Sequence, residues 1–215
     1  MGAVRAAPWV VGLTGGIGAG KTLVAESFRK LGAWIVDTDA IAHQLTTAGG
    51  AAMGPIRGAF GDAVIGADGA LDRKAMRELA FADPIARKRL EAILHPTIRE
   101  HATQLLLQAG AAPYALLVVP LLFESMQYRD RIQRTMLIDC PIEVQIDRVT
   151  ARSSISREEV GRIIAAQLPR AVRLQLADRV LVNAGTTNAL APGIAALHHE
   201  FVTAAAARNR GLPDL

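Results

Sequence analysis

The run Gly12-Leu-Thr-Gly-Gly-Ile-Gly-Ala-Gly-Lys-Thr22 sets glycines, a lysine and a hydroxyl at spacings suited to one task, cradling a polyphosphate. Within it, Gly15-x-x-x-x-Gly20-Lys21-Thr22 satisfies the phosphate-loop pattern with nothing missing. Glycines allow the unusual dihedrals of the turn and keep side chains out of the phosphate's way. Lys21 is expected to reach the β- and γ-phosphates of a nucleoside triphosphate, and the Thr22 hydroxyl to hold Mg²⁺. The nucleotide contacts then run through Gly18, Ala19, Gly20, Lys21, Thr22 and Leu23.

Other residues gather chemistry around this loop. Asp37 and Asp39 flank Thr38 where an apolar run gives way to a helical pattern. Two carboxylates there suit a general base for a hydroxyl or a contact to a metal's shell, but Asp is also a favoured helix N-cap. Glu124 follows Pro120-Leu-Leu-Phe123 and can reach Mg²⁺ through water or act as a capping carboxylate. Arg148 and Arg152, four apart, share one helical face, with Arg157 and Arg162 nearby. Guanidinium groups there suit a clamp on a transferring phosphoryl group, or form a solvated basic face. His95-Pro96 lies within a helical pattern, where a lone histidine suits an ordinary packed or surface position, or the proline can kink the helix and turn the histidine toward a cleft.

Five short apolar runs read as buried parallel strands: 10–13, 34–36, 116–119, 135–138 and 180–182. Helical segments separate them, so the sheet carries helices on its faces. The phosphate loop joins the first strand to a helix over Thr22 to Leu31, with apolar Leu23, Val24, Phe28 and Leu31. Between the second and third strands the chain reads as a helical insertion, with one brief strand candidate near Val64-Ile65 and a turn at Asp68-Gly69. Asp72 caps a helix over Arg73 to Phe81, and Asp83-Pro84 opens a long helix or broken pair that Pro96 interrupts. After the fourth strand, Pro141 to Ala151 reads as a helix, Ser153-Ser154-Ile155 as a loop, and Ser156-x-x-Glu159 as a capping box. The tail from Ala204 to Leu215 reads as frayed.

The 215 residues, 51% hydrophobic, suffice for one α/β core with a small inserted subdomain. No apolar stretch approaches the ~20 residues of a membrane span, and the first eight residues carry no signal-peptide pattern. A single cysteine, Cys140, excludes an internal disulfide framework and suits a reducing, cytoplasmic setting. The net charge is +4, but the arginines are scattered and aromatics make up only 4%, so a base-stacking nucleic-acid surface is not expected. A small polyphosphate ligand accounts for the same charge balance.

Taken together, these residues resemble the dephospho-CoA kinases over nearly the whole chain. The resemblance rests on Gly12–Thr22, Val36-Asp-Thr-Asp39, Leu94-His-Pro96, Val119-Pro-Leu-Leu-Phe-Glu124 and Asn183-Ala-Gly185. It implies a P-loop three-layer fold of the nucleoside-monophosphate-kinase type, with a five-stranded parallel sheet ordered 2-3-1-4-5. Residues 1–39 and 114–215 would form the nucleotide-binding core, with a lid at about 148–165, and residues 40–113 the dephospho-CoA-binding insertion. The implied reaction transfers the γ-phosphate of ATP, with Mg²⁺, to the ribose 3′-hydroxyl of dephospho-CoA, the last step of CoA synthesis. By the same resemblance Asp39 is the base, Lys21 and Arg148 act on the phosphates, and Arg148 and Arg152 swing in with the lid. His95 and Pro96 belong to the substrate side, and Asn183 and Gly185 to a loop near the adenine. The chain is expected to be cytoplasmic and a monomer or weak oligomer, with no nucleic-acid or membrane partner. Its main local departure is Leu23, where the family carries a second hydroxyl; one hydrogen bond there is worth ~1 kcal/mol. Another phosphate-loop small-molecule kinase, or a nucleotide switch, would share the loop; the guanine-reading Asn-Lys-x-Asp motif of switches does not occur.

Overall fold

A computed structural model describes residues 7–125, 127–153 and 155–211. The N-terminal segment 1–6, Ser154 of the expected loop and residues 212–215 of the tail lie outside them. Five strands, β1 (Val10–Gly15), β2 (Trp34–Asp37), β3 (Ala115–Val118), β4 (Arg134–Asp139) and β5 (Arg179–Val182), form one sheet in the order β2-β3-β1-β4-β5. Its pairings are parallel, with Val10 opposite Ala115, Val11 opposite Arg134, and Met136 opposite Arg179. Every residue of β1 is buried, as expected of a central parallel strand covered on both faces. The chain leaves β1 toward one side of the sheet and later returns to build β4 on the other. This reversal places a crevice beyond the carboxyl end of β1, where Gly15 lies level with Ile138 of β4.

The helices are α1 (Lys21–Lys30), α2 (Thr38–Leu45), α3 (Met53–Phe60), α4 (Arg73–Ala82), α5 (Pro84–Leu107), α6 (Leu122–Ser125), α7 (Ile142–Arg152), α8 (Arg157–Ala165), α9 (Arg170–Leu176) and α10 (Thr187–Asn209). The chain divides into two compact units, Met1–Val36 with Leu106–Leu215, and Asp37–Leu105. In the first unit, α1 turns Val24, Ala25 and Phe28 onto the sheet, whereas Leu23 and Leu31 face outward. The apolar run at 114–123 is strand only to Val118; Pro120 interrupts it and α6 follows. The tail departs from the frayed expectation, since α10 continues to Asn209 and buries Phe201, Ala205 and Ala207. Phe201 holds it there, with its ring centroid 5.8 Å from Trp9, 5.6 Å from Tyr114 and 6.1 Å from Phe28.

One polar bond closes this aromatic cluster, 3.0 Å between the Tyr114 hydroxyl and His198 Nδ1. Burial, and then the neighbouring His199, hold the His198 pKa below its ordinary value. The bond joins the hydroxyl to a neutral imidazole. Because the folded-state pKa is depressed, the unfolded chain takes up the proton first as pH falls below about 6.5, and stability is lost in that direction. The urea midpoint of the wild type is expected to drop more between about pH 7.5 and about pH 5.5 than that of His198→Gln. Equal drops would contradict the assignment.

Within the second unit, local capping explains the helices. Asp72 Oδ1 accepts from Lys74 N and Ala75 N, both at 3.0 Å, to start α4. Asp83 Oδ1 accepts from Ile85 N at 2.8 Å, and Pro84 opens α5. Pro96 sits inside α5, which continues as one helix rather than a broken pair. Val64 closes a 3₁₀ turn over Asp62–Val64, while Ile65 makes a single antiparallel bridge to Leu71 around Asp68-Gly69; a strand does not form there. Leu71 N and Arg73 Nη2 both bond Thr46, at 3.0 and 2.9 Å, tying this turn to the end of α2.

Candidate active site

The loop between β1 and α1 has the backbone that its glycines predict. Gly18 and Gly20 take left-handed conformations, with φ 72° and 95°. Gly20 is the N-cap of α1, and no side chain caps the helix. Since the first N–H groups of a helix lack intrahelical acceptors, this end presents donors and partial positive charge without a resident acceptor side chain. Lys21 Nζ donates to Gly15 O at 2.8 Å and to Gly16 O at 3.3 Å, so the ammonium lies across the mouth of the loop. The Thr22 side chain is exposed and has no hydrogen-bond partner among the described residues, and Leu23 is 40% exposed beside it.

Asn183 locks the loop from the β5 side. Its buried amide donates from Nδ2 to Ala19 O at 2.8 Å. Arg148 of α7 donates from Nη2 to Asn183 Oδ1 at 3.2 Å and to Gly185 O at 3.3 Å, and from Nη1 to Asn183 O at 3.1 Å. A side chain at Gly20 would meet Asn183 Nδ2 at 2.3 Å, so that position needs glycine for space as well as for φ. Arg148, Asn183 and Gly185 therefore assemble against the loop, and Arg148 is anchored on α7 rather than free to swing in. It makes no ion pair among the described residues, and these donors go to neutral oxygens. Cys140 supplies a further contact to Arg148 Nη1, and burial pushes its thiol pKa up. Asn183→Ala leaves Ala19 O without its donor in a buried place and frees Arg148. The expected result is ~1–3 kcal/mol lower stability and about 10-fold weaker nucleotide binding, read by thermal melting and ATP titration. Wild-type values for both would contradict this bracing role.

The segment expected as a lid is divided between the end of α7 and α8. Ile146, Val149 and Val160 form a small core that takes in Ile17 of the loop. Ser156 Oγ accepts from Glu159 N at 3.2 Å, as the capping box requires. Arg157 binds Glu143 at 2.7 Å and also Asp147, so it ties α8 to α7 rather than facing the loop. Arg152 is exposed and without a partner among the described residues. Glu124 accepts from Leu168 N at 3.0 Å, which makes it a brace for the chain between α8 and α9.

Several contacts to the loop come from residues that no sequence motif singles out. Gln167 Oε1 accepts from Ile17 N at 3.3 Å. Gln145 Nε2 donates to Cys140 O at 2.7 Å, and its Oε1 lies over Gly16. Asp139, 5% exposed at the end of β4, takes both arms of Arg170 at 2.7 and 2.6 Å. The strand-end rule that singles out Asp39 also applies to Asp139, and the spacing argument for Arg148 and Arg152 applies to Arg170 and Arg173.

In the second unit, the two aspartates have separate duties. Asp37 Oδ1 accepts from Asp39 N at 2.9 Å and Ala40 N at 3.3 Å, which makes it the N-cap of α2. Asp39 stands exposed in the first turn of that helix. His95 is half-buried and Pro96 exposed, midway along α5.

A family profile described as Dephospho-CoA kinase matches residues 9–189. A dephospho-CoA kinase of Aromatoleum aromaticum is 53% identical over 199 residues, covering 93% of this chain and 97% of that protein. One from Dechloromonas aromatica is 52% identical over 194 residues, covering 90% and 93%. Among solved structures, a crystal structure of a Thermus thermophilus protein superposes with a TM-score of 0.78 at 37% identity, covering 91% of this chain and 98% of its own. The loop geometry, the strand order and these matches agree, and the chain belongs to the dephospho-CoA kinase family.

Proposed function

We propose a division of labour among these residues for the family's reaction, ATP-dependent phosphorylation of dephospho-CoA to CoA, the final step of coenzyme A biosynthesis. The observation that carries it is the uncapped start of α1 beneath Gly20, with the Lys21 ammonium at the mouth of the same loop. The loop over Gly18, Ala19, Gly20, Lys21, Thr22 and Leu23 cradles the ATP phosphates, with the N–H groups at the start of α1 as donors while Ala19 N closes the turn onto Gly16 O at 3.1 Å, and Lys21 bridges toward the β- and γ-phosphates. Asn183 and Gly185 form the adenine side, and Arg148 holds a fixed positive charge next to Gly20, supplemented by Arg152 from the end of α7. Residues 1–39 and 114–215 serve as the nucleotide-binding core, with a lid at about 148–165, and residues 40–113 bind dephospho-CoA through His95 and Pro96.

Asp39 orients the ribose 3′-hydroxyl and accepts its proton as the oxygen bonds to the γ-phosphorus. The bond from that phosphorus to the β–γ bridging oxygen breaks, and ADP leaves. Phosphoryl transfer asks little covalent chemistry of a protein, so the work is positioning and offsetting of charge. The lid excludes water, which would otherwise take the phosphoryl group. The exposed, partnerless Thr22 hydroxyl fits a Mg²⁺ that arrives on the nucleotide; among the described residues no group of three or more His, Cys, Asp or Glu forms a dedicated cage. When bound, that ion draws charge from the β- and γ-oxygens. Among the described residues no helix is long and apolar enough to cross a membrane; we place the protein in the cytoplasm as a monomer or weak oligomer.

An acceptor panel tests this reading. Dephospho-CoA is expected to be phosphorylated with a kcat/KM at least ~100-fold above that of nucleosides or nucleoside monophosphates, the scale on which a built site rejects a poorer fit. A nucleoside preferred over dephospho-CoA would overturn it.

A further inference from the structure

We propose that Arg173 is a further catalytic residue, its guanidinium meeting the terminal phosphate of ATP at the Gly16 end of the loop; this rests on the nucleotide reading of that loop. Arg173 is only 7% exposed, an uncommon place for a cation. Its Nε has no hydrogen-bond partner, and the side chain makes no ion pair among the described residues. Three residues earlier, Arg170 is paired bidentately with Asp139, so α9 carries one neutralised arginine and one that is not. A buried cation without a counter-charge is costly, and a site keeps one where a ligand brings the anion.

Its position identifies the anion. A methyl group placed on Gly16 would lie 2.8 Å from Arg173 Nη1 and 2.5 Å from Gln145 Oε1, so the guanidinium rests directly on the loop backbone. Lys21 Nζ donates to Gly15 O and Gly16 O, which marks this end of the loop as the β/γ end. The opposite end, at Ala19 and Gly20, is occupied by Asn183 and Arg148. Gln145 Oε1 is buried without a partner beside Arg173 and adds dipole, but no charge, to its surroundings. Two cations, Lys21 and Arg173, thus converge on the position of the transferring group. An arginine there matches two phosphate oxygens at once, and its contact strengthens as charge develops on them.

The test compares wild type, Arg173→Met and Arg173→Lys, each measured for binding of ADP and of a non-hydrolysable ATP analogue by calorimetry, without acceptor. The Met variant is expected to lose about 10-fold or more for the triphosphate analogue and less than about 3-fold for ADP, with kcat down about 100-fold. The Lys variant, keeping the charge without the fork, recovers part of the analogue affinity. Thermal melting without nucleotide provides the second readout. Removing an unpaired buried cation leaves the melting point of the Met variant equal to or above that of wild type. Equal losses for ADP and the analogue, a lowered melting point, or unchanged kcat would each overturn the proposal. Wild-type protein that binds neither nucleotide would instead overturn the nucleotide reading along with it; an acceptor other than dephospho-CoA would leave these binding arms intact.

Discussion

Lys21→Ala is expected to fold normally and to lose about 10³-fold in turnover, ~4 kcal/mol of transition-state stabilisation. The size follows from where the ammonium lies. In the structure Nζ donates to the carbonyls of Gly15 and Gly16, at 2.8 and 3.3 Å, which places it at the mouth of the loop. Its contact grows as charge moves onto the bridging and γ-oxygens, so its loss falls on kcat more than on ATP affinity. The fold is spared because Lys21 is half-buried in the first turn of α1, while Val24, Ala25 and Phe28 carry the packing. Melting curves and steady-state kinetics separate the two effects. Wild-type kinetics in this variant would remove the phosphate-loop reading altogether.

Asp39→Asn is expected to lower turnover at least ~100-fold with ATP KM little changed, the usual scale for removing a general base. The structure sharpens this expectation by assigning the other carboxylate elsewhere. Asp37 is occupied as the cap of α2, accepting from Asp39 N and Ala40 N, and asparagine caps a helix nearly as well. Asp37→Asn should therefore retain most of its activity, whereas Asp37→Ala should cost ~1 kcal/mol of stability. The two Asn variants measured side by side give a contrast that neither gives alone. An inactive Asp37→Asn beside an active Asp39→Asn would make Asp37 the base and refute the role assigned to Asp39.

How much of this was legible in the residues depended on whether the cause was local. The central strands were legible because they are continuously apolar, whereas the edge strands are not buried as expected, β5 exposing Val180 and Val182; the caps at Asp72, Asp83 and Ser156 were legible because each satisfies helix donors two or three residues away. The phosphate loop was legible for the same reason: its glycines, lysine and threonine act within eight consecutive residues. Non-local causes were not. The tail looked frayed from its alanines, yet Phe201 docks on Trp9 and Tyr114 and carries α10 to Asn209. Ile65 looked like a strand residue, but it makes an isolated bridge to Leu71 across a tight turn. Arg157 looked like a phosphate clamp until Glu143 and Asp147 were brought beside it by the packing of α8 on α7. Gln145 and Arg173 are 28 residues apart, and the fold brings both side chains to the same place, against Gly16.

Kinase activity requires that the phosphate held by the loop pass to an acceptor hydroxyl rather than to water. ADP release with and without dephospho-CoA, paired with mass analysis of the acceptor, decides between the two. The expected outcome is ADP and a singly phosphorylated acceptor in equal amounts, carrying the new group at the ribose 3′-oxygen, and almost no ADP when the acceptor is withheld. Release of ADP at the same rate in its absence, with dephospho-CoA recovered unchanged, would contradict acceptor phosphorylation as the function of this site.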